Sequence, residues 1–374
     1  MILKNTVYYN DAFLPQKGDI AIENGLLTEL GGTLAGNGID LSGCTVAPGF
    51  IDIHTHGAMG GDTCDAREEA LEGISRHLAR HGVTSFCPTT MTLPFGQLAA
   101  SLQAASDYRG HECGAYIQGI NMEGPYISAA KKGAQCGEYI RKPDFDEFLK
   151  LNEICPVRLV DVAPEAEGAE AFAARAKAYC TVSAAHTNSD YDTAVRAFNA
   201  GFSHATHLFN AMTQLSSRAP GVVGAVFDND TVTAELICDG FHIAPAALRI
   251  AFQMLGEERS VIVSDAMMAS GLADGDFELG GQAVYVRDGK ALLADGTIAA
   301  STTNLYDEFR NVLRFGVPFR QALKSCTINP ARVIRAEKET GSIAQGKRAD
   351  LLVLDRDMEI RMVIVKGEIV EDRR

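Results

Sequence analysis

Eight short apolar runs of β character, with helical stretches between several of them, fill the middle of this chain, and this alternation is its strongest constraint on fold. The runs are Ala47–Ile53, Thr84–Pro88, Tyr116–Met122, Arg158–Ala163, Thr181–Ala185, Ser203–Leu208, Thr233–Cys238 and Ser260–Val263. Intervening helices are expected at Arg67–Arg80 and Asp192–Ala200, ending before Gly82 and Gly201. Glycine just past the last periodic residue is a helix stop. Strand followed by helix, repeated, is the pattern of a parallel sheet. Eight such units favour a closed (β/α)8 TIM barrel over an open doubly wound sheet. Neither a Walker loop nor a G-x-G-x-x-G after a strand is present.

The two ends of the chain read differently. Asn5–Tyr9, Asp19–Glu23 and Gly25–Leu30 are short β runs, punctuated by Gly31-Gly32. Ala349–Asp355, Ile360–Lys366 and Glu368–Val370 are apolar β runs as well, with Gly367 in a turn. They point to a small β-sandwich domain assembled from residues 1–46 and 345–374, beside a barrel domain of residues 47–344.

Composition narrows the function classes. The formal charge of −14 disfavours nucleic acid as a partner, but local basic groups can still bind a small anion. No stretch approaches the ~20 apolar residues of a membrane helix, and the start of the chain has no secretory pattern. The nine cysteines are scattered and never spaced C-x-x-C. Reduced thiols in a cytoplasmic protein are therefore expected, not a disulfide framework or a cysteine zinc site.

In a parallel barrel, reactive side chains gather where strands end. Here those ends carry His54-Thr55-His56, Glu123, His186, His207, Asp239 with His242, and Asp265. Residues i and i+2 of a strand point the same way, so His54 and His56 can reach one metal together. His186 and His207 arrive from neighbouring strands, and Glu123 offers a hard oxygen between them. Imidazole and carboxylate ligands suit Zn²⁺ or Fe²⁺, which activates water and polarises a carbonyl. Asp265 would take the proton from water and pass it to a leaving nitrogen.

Each residue alone has a plainer reading. Glu123 and Asp265 could cap helices, and His186 or His207 could be hydrogen-bonded core histidines. Their joint occurrence at successive strand ends favours the metal site. His77 and His81, spaced i,i+4, are expected on a solvated helix face. His204 falls on the face opposite His207 and is read as a packing residue.

Longer motifs carry a resemblance. PGFIDIHTHG (Pro48–Gly57), MEGPYIS (Met122–Ser128), AHTNSDY (Ala185–Tyr191), ATHLFNAM (Ala205–Met212), CDGFHI (Cys238–Ile243) and VSDAMMASG (Val263–Gly271) resemble the N-acetylglucosamine-6-phosphate deacetylases of the amidohydrolase superfamily. The similarity runs over nearly the whole chain. It implies that Glu123, His186 and His207 bind the main metal and that His54 and His56 bind a second, giving one or two ions per subunit. It implies Asp265 as general acid and base, with Asn210 and Ala211 near the sugar phosphate. Arg218 and His242 become a phosphate-binding pair, the Arg supplied by the neighbouring subunit of a homodimer. Where some members carry a histidine that orients the acetyl carbonyl, this chain has Gln135, which can donate a hydrogen bond but cannot become cationic. The implied reaction is hydrolysis of the acetamide of N-acetyl-D-glucosamine 6-phosphate. The galactosamine isomer is the nearest alternative. A cyclic-amide hydrolase usually has a carboxylated lysine where Glu123 stands, and a non-catalytic scaffold need not keep every ligand.

Overall fold

A computed structural model describes residues 1–374. Eight parallel strands form the central sheet: β1 (Phe50–Thr55), β2 (Val83–Thr90), β3 (Ile120–Tyr126), β4 (Val157–Val162), β5 (Thr181–Ala184), β6 (Phe202–Ala205), β7 (Thr233–Ile237) and β8 (Ser260–Val263). Each pairs with the next in chain order, and a short strand at Tyr116–Ile117 also pairs with β2. Every residue of β1, β2, β3, β5 and β8 is buried. That is the condition of a parallel sheet covered on both faces, and it explains the near-continuous apolar runs. β1 and β8 share no continuous ladder. An isolated parallel bridge, Thr55 to Ala266, links their ends, where the Asp265 N–H donates to the His54 carbonyl (2.9 Å) and the His56 N–H to the Ala266 carbonyl (2.8 Å). The molecule is thus an α/β fold on a parallel sheet whose two outer strands meet at their C-terminal ends.

The terminal segments build one eight-stranded mixed sheet. Its order is Glu368–Asp372, Ile360–Val365, Leu351–Leu354, Thr45–Pro48, Ile2–Tyr9, Pro15–Glu23 and Leu26–Leu30, with Ile39–Asp40 also on Ile2–Tyr9. Strand alternation splits its faces. Leu351, Val353 and Ile364 pack with Leu3 and Ile20, while Leu352, Leu354 and Val363 join the main core.

Two expectations change. The run expected as a single strand from Ala47 to Ile53 is cut at Gly49, and Thr45–Pro48 belongs to the terminal sheet. The Gly49 N–H donates to the Asp350 carbonyl (2.9 Å) and the next N–H to Gly82 (3.0 Å), so the chain changes partner there. His77 is not solvated: it is 6% exposed, and its Nε2 meets the Ser270 hydroxyl at 3.2 Å.

A four-stranded antiparallel sheet after β8, at Gly275–Leu279, Gln282–Arg287, Lys290–Leu292 and Ile298–Ala300, was not anticipated. Its first two turns are Gly280-Gly281 and Asp288-Gly289, both hairpin pairs. All nine cysteines are free thiols, and no helix is long and apolar enough to cross a membrane.

Candidate metal centre

The C-terminal ends of the strands bring five side chains together. His54 lies in β1 with His56 just beyond it, Glu123 lies within β3, and His186 and His207 follow β5 and β6. They form two groups sharing Glu123: His54–His56–Glu123 and Glu123–His186–His207. In each group the ligand atoms lie within 4.8 Å of one another. Glu123 Oε1 is 3.1 Å from the Nε2 of both His186 and His207, and 3.4 Å from His54 Nε2. Glu123 Oε2 is 3.3 Å from His56 Nε2.

Hydrogen bonds behind the rings fix which nitrogen faces inward. A carbonyl oxygen only accepts, so His186 Nδ1 donates to Lys131 O (2.9 Å) and His56 Nδ1 to Thr89 O (3.3 Å). His54 Nδ1 donates to Glu235 Oε2 at 2.8 Å. Each ring then turns its Nε2 to the carboxylates, where it carries a lone pair toward a cation or, without one, a proton. His54 Nε2 is buried and has no hydrogen-bond partner. Lone pairs held against carboxylate oxygens repel unless a cation or proton lies between them. The donor set, imidazole nitrogens with one shared carboxylate, fits a borderline divalent ion.

Electrostatics give the same sign. Burial opposes the charged form of Glu123, yet His54, His186 and His207 hold its carboxyl well below the usual carboxylate range. Burial also opposes charging of His56, but Asp265 and Glu123 pull its pKa up to about 10. A buried centre this rich in carboxylate demands positive charge.

Asp265 Oδ1 stands 3.5 Å from His54 Nε2 and 3.4 Å from His56 Nε2. It lines, with His56, Glu123, His186 and His207, a cavity of about 570 Å³. Gln135, Asn210, Ala211 and His242 are on the same wall. His242 is held by Asp239, Nδ1 to Oδ2 at 2.7 Å. Gln135 is buried, with Nε2 donating to Glu123 Oε2 (2.6 Å) and Oε1 accepting from the Thr92 N–H (2.6 Å). Its donors therefore face Glu123 and the Met91 sulfur, 3.6 Å away, not an open position for a carbonyl. Arg218 is not brought to this cavity. It is exposed, in a loop bordering a separate cleft with Asn188 and Gln214.

Residues 45–370 match the amidohydrolase family. The chain belongs to the amidohydrolase family. It is 36% identical over 330 residues to the N-acetylglucosamine-6-phosphate deacetylase of Bacillus subtilis, covering 86% of this chain and 83% of that protein. It is 33% identical to the N-acetylgalactosamine-6-phosphate deacetylase of Escherichia coli O157:H7, covering 87% of each. Among solved structures, a mutant N-acetyl-D-glucosamine-6-phosphate deacetylase from Mycobacterium smegmatis, in complex with N-acetyl-D-glucosamine-6-phosphate, superimposes with a TM-score of 0.92 at 32% identity, covering 99% of both chains.

Sequence reasoning missed several residues of this amidohydrolase's site. Lys131, Lys132, Asp295 and Thr297 also line the cavity, the last two from the inserted antiparallel sheet's Leu293–Thr297 turn. Glu235 lies behind the histidines, and His204, read as packing, is hydrogen-bonded to it (Nε2 to Oε1, 3.2 Å). A charged residue inside the apolar run TVTAELIC was the available signal for Glu235.

Proposed function

We propose that this amidohydrolase hydrolyses the acetamide of N-acetyl-D-glucosamine 6-phosphate, releasing acetate and D-glucosamine 6-phosphate in amino-sugar catabolism. The observation that carries the reading is the convergence of Glu123, His186 and His207 on one point, with Asp265 beside it on the wall of the same cavity. The Bacillus subtilis and Mycobacterium smegmatis relatives are N-acetylglucosamine-6-phosphate deacetylases. Glu123, His186 and His207 would hold the main divalent ion, zinc or iron(II), and His54 and His56 with Glu123 a second. Such an ion, when bound, polarises a carbonyl oxygen and lowers the pKa of water toward neutrality.

The chain's own residues divide the remaining work. Asp265 Oδ1 accepts the proton of the attacking water and returns it to the departing amine nitrogen. Asn210, Ala211 and Gln135 form the wall against which the substrate is oriented, and His242, fixed by Asp239, meets the phosphate. Arg218 completes the phosphate site of a neighbouring subunit in a homodimer. Its exposure outside its own subunit's cavity, in the loop that also exposes Leu215, supports that arrangement. The central sheet is read as a (β/α)8 barrel closed at the Thr55–Ala266 bridge, over residues 47–344 less Ala47 and Pro48, which pair in the terminal sheet. Residues 1–46 and 345–374 are read as a small β-sandwich domain, its one sheet folding a face around Leu3, Ile20, Leu351 and Val353, and the location is cytoplasmic. N-acetylgalactosamine 6-phosphate is the second reading, favoured by the Escherichia coli relative.

Acetate release tests the proposal. Turnover is expected on N-acetyl-D-glucosamine 6-phosphate, with at most slow release from the unphosphorylated sugar. Asp265→Asn is expected to lose most of it while still binding metal. Equal rates on both sugars would overturn the His242 and Arg218 assignment, and near-normal activity of the variant would overturn the role of Asp265.

A further inference from the structure

Glu235 is fully buried in β7 and does not reach the cavity wall. Its carboxylate is nonetheless surrounded by the histidine segments of the centre. Oε2 accepts from His54 Nδ1 (2.8 Å) and from the His207 backbone N–H (3.1 Å). Oε1 meets His204 Nε2 (3.2 Å), and the far nitrogen of that ring, Nδ1, meets the Thr233 hydroxyl at 2.6 Å. Glu235 therefore has a partner on each oxygen, and His204 is itself anchored at both ends. Two other buried acids lie nearby: Asp161 accepts from Thr206 Oγ1 (2.8 Å), and Asp52 accepts from Ser264 Oγ and from the His54 backbone N–H (3.3 Å), so of the three only Glu235 accepts from a ligand side chain.

We infer that Glu235, braced by His204, is a positioning residue that fixes the tautomer and orientation of His54 and so makes the His54–His56–Glu123 group competent to hold a cation. The inference rests on the reading of that group as a metal site. His54 is the residue on which it acts most directly. Its Nδ1 proton is committed to Glu235, so its Nε2, which has no hydrogen-bond partner of its own, presents a lone pair toward Glu123 and Asp265. Without the carboxylate the ring can carry its proton on Nε2, donate to Glu123 or Asp265, and close the position to a cation. The contact with His207 is only through the backbone, so the Glu123–His186–His207 group depends on Glu235 far less. Glutamine at this position replaces it only in part. Its one accepting oxygen can take the donors of His54 and His207 only if its nitrogen turns to His204, whose ring must then carry its proton on Nδ1 toward Thr233, and the neutral amide holds the His54 Nδ1 proton more weakly than a carboxylate does.

Zinc per subunit, measured by mass spectrometry across buffered free-zinc concentrations, tests this on the full-length protein, with His54→Asn, Glu235→Gln and Glu235→Asp beside the wild type. Wild type is expected to fill two sites and His54→Asn one. Glu235→Gln is expected to need about 10–100-fold more free zinc for its second ion, the usual cost of removing a partner behind a ligand, with the first ion unaffected. Glu235→Asp, which shortens the carboxylate, falls between them and carries the test if the amide variant does not fold. If the position 235 variants fill both sites like wild type while His54→Asn loses one, the role of Glu235 is wrong and the second site stands. If wild type binds one ion and His54→Asn is indistinguishable from it, the second-site reading itself fails and takes the inference with it. Loss of both ions together with a fall in melting temperature would mark a merely structural residue and overturn the inference.

Discussion

His186, His207 and Asp265 stand on backbone that most side chains avoid, with φ of 43°, 32° and 47°. Left-handed geometry costs an L-residue roughly 1–2 kcal/mol, and such residues cluster where the surrounding structure compels them. Here each follows the end of a strand of the central sheet, and its buried side chain lines the cavity. The identities of these residues were legible in sequence, because histidines and a carboxylate recur at strand ends. Their backbone was not, because nothing in the residue types demands a positive φ. His77 shows the same limit. Its spacing suggested a solvated face, but the loop carrying Ser270 covers it. Burial, with the charges of His81 and Arg80, lowers the pKa of His77 from 6.5 to about 4. The unfolded chain binds that proton more readily than the folded one, so stability is lost as pH falls from 6.5 toward about 4. Urea unfolding should show wild type losing about 2 kcal/mol between pH 7 and pH 5 that His77→Gln does not lose. Parallel pH profiles for the two proteins would contradict this.

At the scale of the element, Gly49 explains why the first apolar run is two strands. A Cβ at this position would overlap the Thr84 side chain of β2. The glycine lets β1 start tight against β2 while the preceding strand stays in the terminal sheet. Gly49→Ala should force the two sheets apart and cost about 1–3 kcal/mol, the range of overpacked sites, as a lower urea midpoint at unchanged slope. An unchanged midpoint would mean that the junction is slack. The eight runs of the central sheet were readable because buried strands must be apolar on both faces. The break at Gly49 was not, since Ala47–Ile53 is uniformly apolar and the change of partner depends on Asp350, about three hundred residues away. The inserted antiparallel sheet carries Gly-Gly and Asp-Gly turn signals, but its half-exposed strands mix polar and apolar residues and stand out less than the core runs.

At the scale of the whole molecule, chemistry is concentrated at one end of the parallel sheet. The termini supply a second sheet with a core of its own on one face and a share of the main core on the other. Motif reading singled out the five residues that the fold brings together, with Asp265 beside them. It did not reveal that Gln135 is engaged with Glu123, or that Arg218 faces away from its own cavity, because both facts depend on packing between distant segments. We read the histidines and Glu123 as a centre whose chemistry depends on a divalent ion. Acetate release from N-acetyl-D-glucosamine 6-phosphate, measured on chelator-stripped protein before and after adding back zinc or iron(II), decides this. Stripping should abolish release and a divalent ion should restore it, whereas full activity in protein verified as metal-free would contradict the assignment.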